Sequence, residues 1–174
     1  MISSRLIRIS ALAVALLVVP IASAGPDAKE KASPLDTLKK LVGTWESADA
    51  GKDGKPQTVV YRTTGAGSAV EESLFPGSDH EMVTMYTMDG DDLVMTHYCS
   101  LGNQPHMKAK TPIEAGRIDF EYVSGGNMKS RDEMHMDSLT MTFPDADHVN
   151  SEWRLWKDGK VVKTVSLAFT RKKA

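Results

Sequence analysis

Residues 33–48 read SPLDTLKKLVGTWESA, and this stretch decides the fold because a helix start is followed at once by a strand start. Ser33 is a good N-cap, Pro34 suits the first helical position, and Asp36 lies three residues after the cap, where an acid completes a capping box. Gly43 stands where a helix-ending glycine belongs. Four apolar residues fall on one helical face: Leu35, Leu38, Leu41 and Val42. The stretch therefore predicts an amphipathic helix of about two to three turns, followed directly by a strand.

Beyond Gly43 the sequence has the pattern of β-strands only. Short runs rich in β-branched and aromatic residues alternate with turn signals, and Asp-Gly pairs recur at residues 53–54, 89–90 and 158–159. Asp-Gly between two such runs is a strong hairpin signal, because a type I′ turn needs positive φ at both central positions. The pattern predicts about ten strands, namely Thr44–Ala48, Thr58–Thr64, Ser68–Phe75, Glu81–Met88, Asp92–Tyr98, His106–Lys110, Arg117–Val123, Met136–Phe143, Val149–Trp156 and Val161–Thr170.

The spacing of these runs predicts how the strands are arranged. Strands spaced about ten residues apart with short connections form antiparallel neighbours in a meander. A meander of this length leaves two exposed edges unless its first and last strands pair. We therefore expect an all-β fold, an antiparallel up-and-down barrel of about ten strands, in which the short N-terminal helix plugs one end. A sandwich of two sheets is the alternative architecture.

The first 24 residues have the organisation of a secretory signal peptide. Arg5 and Arg8 precede an apolar run from Ala11 to Ile21, and Ala22-Ser23-Ala24 fits the A-x-A cleavage pattern. The run is shorter than the roughly 20 apolar residues that span a bilayer, so an uncleaved membrane anchor is the less favoured alternative. We expect cleavage after Ala24, no stable membrane insertion afterwards, and a periplasmic or secreted protein. Residues 25–33 then form a flexible leader, and residues 34–174 form one barrel domain.

Composition and motifs argue against several functional classes. The net charge of −2 lacks the basic stripe of a nucleic-acid-binding protein. One cysteine forms neither an intramolecular disulfide nor a cysteine-based zinc or iron–sulfur site. The sequence contains no nucleophile elbow, no H-E-x-x-H and no phosphate-binding glycine loop, so it favours a role other than catalysis. Nothing in the sequence indicates an oligomeric state.

The helix followed by Gly43-Thr44-Trp45 resembles the opening of calycin-type barrels, which include lipocalins, fatty-acid-binding proteins and nitrobindin-like proteins. The resemblance implies a barrel with an internal cavity, in which Gly43 and Trp45 are structural positions. It also implies that Trp45 packs across the closed end beneath a basic residue of the last strand, for which Arg171 is the candidate. The sequence thus resembles an exported bacterial calycin-like protein.

Three departures keep the resemblance from implying a particular ligand. Residues 50–57 leave no room for the helix pair of fatty-acid-binding proteins, and a single cysteine cannot form the lipocalin disulfide. The haem histidine of nitrobindin lies near the end of its chain, whereas the last histidine here is His148, ahead of the final two strands.

The stretch His80–Met107 holds most of the candidate binding residues. A two-residue turn at Asp89-Gly90 would place Tyr86 opposite Leu93, Thr84 opposite Met95 and Met82 opposite His97, and the continued ladder would bring His80 opposite Cys99. Strand alternation then puts Met82, Met95, His97 and Cys99 on one face. Both faces are fairly apolar, so the sequence leaves open which one faces inward.

We predict a ligand-binding interior from these residues. Met82, Tyr86, Met95 and His97 would line the pocket, and the polar loop after Cys99 would supply three rim residues, Asn103, Gln104 and His106. The expected partner is a small, mostly apolar molecule and no cofactor. The first alternative is a haem- or copper-binding barrel that uses His97, with Cys99 and His80 as further candidate ligands. The second alternative is an interaction or scaffold module whose barrel is filled and binds no small molecule.

Overall fold

A computed structural model describes residues 33–51 and 54–173, and these residues form a closed antiparallel barrel. One helix, α1 (Pro34–Lys39), precedes the barrel, and a short 3₁₀ turn lies at Gly65–Gly67. The wall consists of ten strands: β1 Gly43–Ala50, β2 Pro56–Thr64, β3 Ala69–Leu74, β4 Met82–Asp89, β5 Asp92–Tyr98, β6 Gln104–Ala109, β7 Arg117–Gly126, β8 His135–Asp145, β9 His148–Lys157 and β10 Lys160–Arg171. The predicted signal peptide, 1–24, and leader residues 25–32 lie outside the described residues.

Each strand pairs with the next along the chain, and β1 pairs with β10 to close the barrel. The closing contact contains three residue pairs, Trp45 with Arg171, Glu46 with Thr170 and Ser47 with Phe169. The all-β, ten-stranded up-and-down barrel expected from the sequence is therefore confirmed, and the sandwich alternative is wrong.

The helix begins as predicted but ends earlier. The Ser33 hydroxyl accepts a hydrogen bond from the backbone N–H of Leu35 at 3.3 Å, and the Asp36 carboxylate accepts one from the Ser33 backbone at 3.0 Å. The helix contains six residues and its C-cap is Lys40, so the predicted helix-ending role of Gly43 is wrong. Gly43 instead opens β1. No helix within the described ranges is both long and apolar enough to cross a membrane.

One end of the barrel is sealed around Trp45, whose ring is fully buried and whose indole N–H donates to the Leu41 carbonyl at 2.7 Å. The Arg171 guanidinium lies 4.2 Å from the centre of the Trp45 ring and donates to the backbone carbonyls of Val42 and Lys40. Gly43 has a φ of +132°, and a Cβ there would lie 3.3 Å from Arg171 Nη1. A side chain at position 43 would therefore be strained and would crowd the arginine. We call this end the closed end.

The opposite end, which we call the mouth, is where β5 and β9 finish and where β6 and β10 begin. Between the two ends, alternate residues of each strand face inward and form one continuous hydrophobic core. Its aromatic members are Trp45, Tyr61, Tyr86, Phe120, Trp153 and Phe169.

Candidate functional site

The β4–β5 hairpin determines which candidate residues face inward. Asp89 pairs with Asp92, so Gly90 and Asp91 are the central turn residues and only Gly90 has positive φ, as in a type II′ turn. Tyr86 therefore pairs with Met95 and Thr84 with His97. The predicted pairing is wrong by two residues, and because two is the period of a strand, the predicted faces are unchanged.

The inward face of this hairpin carries Tyr86, Met95 and His97, which are each at most 2% exposed. The sequence left open which face of the hairpin points into the barrel, and the structure shows that this face does. Met82, on the same face nearer the mouth, is half-buried and packs against the core. Four predicted pocket residues thus lie on one inner surface, although their contact with a ligand stays a prediction.

A buried polar cluster runs across this surface, and we define it as Tyr61, Glu72, Thr84, Tyr86 and His97. Tyr61, Glu72, Thr84 and His97 are successive register partners on β2, β3, β4 and β5. The Tyr61 hydroxyl donates to Glu72 Oε1 at 2.6 Å, and the Tyr86 hydroxyl donates to Glu72 Oε2 at 2.7 Å. Thr84 Oγ1 lies 2.9 Å from His97 Nδ1. Inward-facing polar residues on four neighbouring strands therefore form two hydrogen-bonded groups inside the barrel, Tyr61–Glu72–Tyr86 and Thr84–His97.

Burial controls the ionisation of the polar cluster. Loss of water raises the pKa of Glu72, while hydrogen bonds from Tyr61, Tyr86 and Thr84 act in the opposite direction. Burial beside that carboxyl group holds the pKa of both tyrosines well above the usual range, so both phenols keep their protons. Burial lowers the pKa of His97 to about 4, so its imidazole is neutral at pH 7.

His97 Nε2 is buried and has no hydrogen-bond partner among the described residues. The other ring nitrogen is satisfied by Thr84, and one side of the ring packs on Trp153 of β9, with 4.5 Å between the ring centres. Buried polar side-chain atoms nearly always have a partner, and an exception needs an explanation. His97 Nε2 is therefore a polar atom of the interior with unused hydrogen-bonding capacity.

Two further buried polar atoms without a partner in the described residues lie at the mouth, Asn103 Oδ1 and Trp156 Nε1. Next to them, the Arg131 guanidinium stacks between the rings of Tyr122 and Trp156, at 4.0 and 4.5 Å from the ring centres. It also donates to His135 Nε2 and to the Asp137 carboxylate. Arg131, packed between Tyr122 and Trp156, thus covers this side of the mouth, and we call these three residues the Arg131 clamp.

The predicted rim residues have different environments. Asn103 is buried, and its side-chain N–H donates to the Met134 carbonyl at 2.8 Å. Gln104 is half-buried and donates to the Gly102 carbonyl at 3.2 Å. His106 faces outward, because β6 begins at Gln104 and places Pro105 and Met107 inside; its Nδ1 lies 2.9 Å from Thr96 Oγ1. His106 therefore does not belong to the inner surface.

The candidate metal ligands are not gathered at one place. His80 is exposed in the connection between β3 and β4, outside any strand, so the expected ladder partner of Cys99 is absent. Cys99 is buried, and burial raises the pKa of its thiol, whereas metals bind the thiolate. The described residues contain no group of three His, Cys, Asp or Glu side chains placed to hold a metal ion. His97 alone fits as an axial ligand, and this donor set does not fit a closed copper site.

A cleft of about 580 Å³ opens at the mouth between the β1–β2 and β3–β4 connections. Its walls include Gln57, Thr58, Phe75, Pro76 and His80. The cleft is lined in part by the half-buried side chain of Phe75, and it lies at the same end of the barrel as His97.

Comparison with known proteins adds no assignment: no protein-family model matches this chain, and no curated protein matches it.

Several functional residues escaped the sequence analysis. Glu71 and Glu72 are adjacent acids that strand alternation sends to opposite faces, and Glu71 pairs with Arg62 on the outer wall. The inward role of Glu72, with Tyr61 and Thr84, was not predicted. The available signal was a polar residue at the inward position of four successive strands, which becomes visible only when all four registers are aligned.

Proposed function

We propose that the barrel binds a small, mostly apolar molecule in its interior, with the polar group of that molecule at His97 Nε2. The single observation that carries the proposal is the buried ring nitrogen without a partner. A buried polar atom left unsatisfied costs about 1–3 kcal/mol, and a bound hydrogen-bonding group would recover that energy.

The surroundings of His97 support an apolar ligand body. Met95 and Met107 are paired neighbours on β5 and β6, and Leu139 pairs with Trp153 on β8 and β9. All four side chains are at most 3% exposed and belong to the same core. Methionine side chains are flexible and polarizable, so this wall can adjust to a guest better than a wall of β-branched residues can.

The direction of entry follows from the two ends. Trp45 and Arg171 seal the closed end, whereas His97 lies near the end of β5, toward the mouth. The cleft between the β1–β2 and β3–β4 connections and the Arg131 clamp both lie there. A ligand would therefore enter past these loops and reach His97 from the mouth.

A fluorescence titration with N-phenyl-1-naphthylamine, a neutral apolar amine, tests the proposal. We expect saturable binding to the wild-type protein and binding at least about fivefold weaker to His97→Leu, the equivalent of about 1 kcal/mol. The matched control is His106→Leu, because His106 makes the same 2.9 Å contact with a threonine but on the outer wall. Absence of saturable binding, or equal binding by all three proteins, would refute the proposal.

Haem is the second candidate ligand, since a neutral imidazole with a free ring nitrogen is an axial ligand. Haem would supply an iron centre, and His97 is the residue that would hold it. Addition of hemin should then give a Soret band shift that His97→Leu abolishes and His106→Leu keeps. An identical spectrum for the three proteins would exclude haem binding at His97.

Export is a separate proposal that rests on residues 1–24. N-terminal sequencing of protein recovered from the periplasm or medium should give Gly25 as the first residue. Recovery of the uncleaved chain with the membranes would contradict it.

A further inference from the structure

The connection between β7 and β8, residues 127–134, is attached to its neighbours on both sides of the mouth. The Asn103 side chain, in the β5–β6 connection, donates to the Met134 carbonyl at 2.8 Å. On the other side, the backbone N–H of Asp158, in the β9–β10 turn, donates to the Asp132 carbonyl at 3.0 Å. The Arg131 clamp is the third attachment, and it is the one that involves a titratable partner.

That partner is His135, whose side chain is fully buried and whose two ring nitrogens both meet groups with a fixed role. Nδ1 lies 2.6 Å from the Glu133 carbonyl, which only accepts, so Nδ1 carries the proton. Nε2 contacts the Arg131 guanidinium, which only donates, so Nε2 presents its lone pair. The same guanidinium donates to the Asp137 carboxylate. The closed clamp therefore requires a neutral imidazole with its proton on Nδ1.

A protonated imidazole does not fit this arrangement, because both of its nitrogens donate. The new N–H on Nε2 would point at the N–H groups of Arg131, with two positive charges in contact. The Asp137 carboxylate is an acceptor within reach, since its Oδ1 lies 3.9 Å from His135 Nε2, and it is ion-paired with Arg131. We infer that protonation of His135 moves Asp137 from Arg131 to His135 and thereby releases Arg131 and residues 127–134 from the mouth. The inference goes beyond the proposed function and does not depend on interior binding.

Two further strands pack against His135. From β7, the phenol ring of Tyr122 lies 4.7 Å from the imidazole, measured between ring centres. From β9, the register partner is Trp156, which does not titrate. The next residue of β9, Lys157, is ion-paired with Asp158 at 4.0 Å. The charged groups that act on the imidazole are therefore those of its own connection and strand.

These groups fix the direction of the pH response. Burial lowers the pKa of His135, and the positive charge of Arg131 lowers it too, while the hydrogen bond to the Glu133 carbonyl and the negative charge of Asp137 act in the opposite direction. The net pKa is below the ordinary value of 6.5, so the imidazole is neutral at pH 7. The clamp is thus closed at pH 7, and acidification below 6.5 favours its release.

The closed clamp also buries two polar atoms that have no partner in the described part of the chain, Asn103 Oδ1 and Trp156 Nε1. Asn103 is bonded to the connection through Met134, and the Trp156 ring is covered by Arg131. Water would reach both atoms once the connection moves away, and their hydration would offset part of the cost of opening.

Hydrogen exchange tests the inference when it is expressed as protection factors, which remove the intrinsic pH dependence of exchange. The backbone N–H groups of Glu133 and Asp158 donate to carbonyls of the connection, and their protection should fall at least about fivefold between pH 7 and pH 5. His135→Gln cannot be protonated and should keep its protection at both pH values. The matched control is His148→Gln, which removes an exposed histidine paired with Asp145 at the closed end and should respond as the wild type does.

Two measurements on the wild-type protein decide the matter even if His135→Gln fails to fold. Nitrogen-15 NMR at pH 7 should show the proton of His135 on Nδ1 and the lone pair on Nε2. The backbone N–H of Ser78, which donates to the Phe75 carbonyl in the separate β3–β4 connection, should keep its protection at pH 5. A proton on Nε2, unchanged protection of Glu133 and Asp158, an equal loss at Ser78, or an equal loss in His135→Gln would each overturn the inference.

Discussion

Acidification should destabilise this protein through His97. The pKa of His97 is about 4 in the folded barrel, against an ordinary value of 6.5 that also describes the unfolded chain. Between these values the unfolded chain binds one more proton than the native one, so the free energy of unfolding rises with pH and falls as the solution is acidified. The stabilisation is complete above the unfolded pKa and is lost as the pH drops toward the folded one.

The size of the effect follows from the interval between the two pKa values of His97, 6.5 and about 4. One pKa unit corresponds to about 1.4 kcal/mol, so the loss between pH 7.5 and pH 4 is about 3 kcal/mol. The imidazole is 1% exposed, and solvent therefore screens little of this effect. Since a domain of ordinary stability unfolds with about 5–15 kcal/mol, the loss is a large share of the total.

Urea denaturation at several pH values between 4 and 7.5 measures the effect when wild type is compared with His97→Gln. Glutamine does not titrate, and the other groups whose pKa changes on folding, including Glu72 and His135, are present in both proteins. The stability difference between the two proteins should change by about 3 kcal/mol across the range. Curves that stay parallel within about 0.5 kcal/mol, the usual error of additivity, would refute the assignment of a buried neutral imidazole.

Three further outcomes are expected. Arg171→Met should lower the free energy of unfolding by about 1–3 kcal/mol, because it removes the contact with Trp45 and two hydrogen bonds to backbone carbonyls; unchanged urea curves would show that the seal contributes nothing. Tyr61→Phe should raise the pKa of Glu72 further, since the tyrosine donates to that carboxyl group, and carboxyl carbon-13 NMR would detect a contrary decrease. Cys99 should react with iodoacetamide at pH 7 at least about tenfold more slowly than free cysteine, because burial raises its pKa and restricts access; a matching rate would contradict this.

The fold was largely predictable because its elements are local. Strand β5 has the bounds predicted for it, Asp92–Tyr98, since hydrophobic alternation and turn residues are both visible along the chain. The Asp-Gly pairs at residues 89–90 and 158–159 were both predicted to be the two central residues of a hairpin turn, but only the second pair occupies those positions. At residues 158–159 both residues have positive φ, whereas at Gly90 the glycine is the first central residue. The dipeptide shows where a hairpin turns, and its backbone conformation, which the sequence does not reveal, fixes the register.

The candidate site was predictable only in part. Tyr86, Met95 and His97 could be placed on one face because they belong to adjacent strands. Glu72 could not be assigned to them, because its contacts depend on two further registers, β2 with β3 and β3 with β4. His106 lies within β6, which begins two residues earlier than predicted, and strand alternation turns its side chain outward, whereas its contact with a ligand stays a prediction.

The narrow contact between β1 and β10 has a consequence for how the chain reaches its native state. Every other strand pair joins neighbours along the chain, so hairpins can form while the chain is still incomplete. Trp45 and Arg171, by contrast, are separated by 126 positions (171 − 45) and meet through a contact of three pairs. During synthesis, two unpaired strand edges therefore remain exposed until the end of β10 emerges. Phe169, Thr170 and Arg171 complete the fold and also remove the edges through which unfinished copies would stick together.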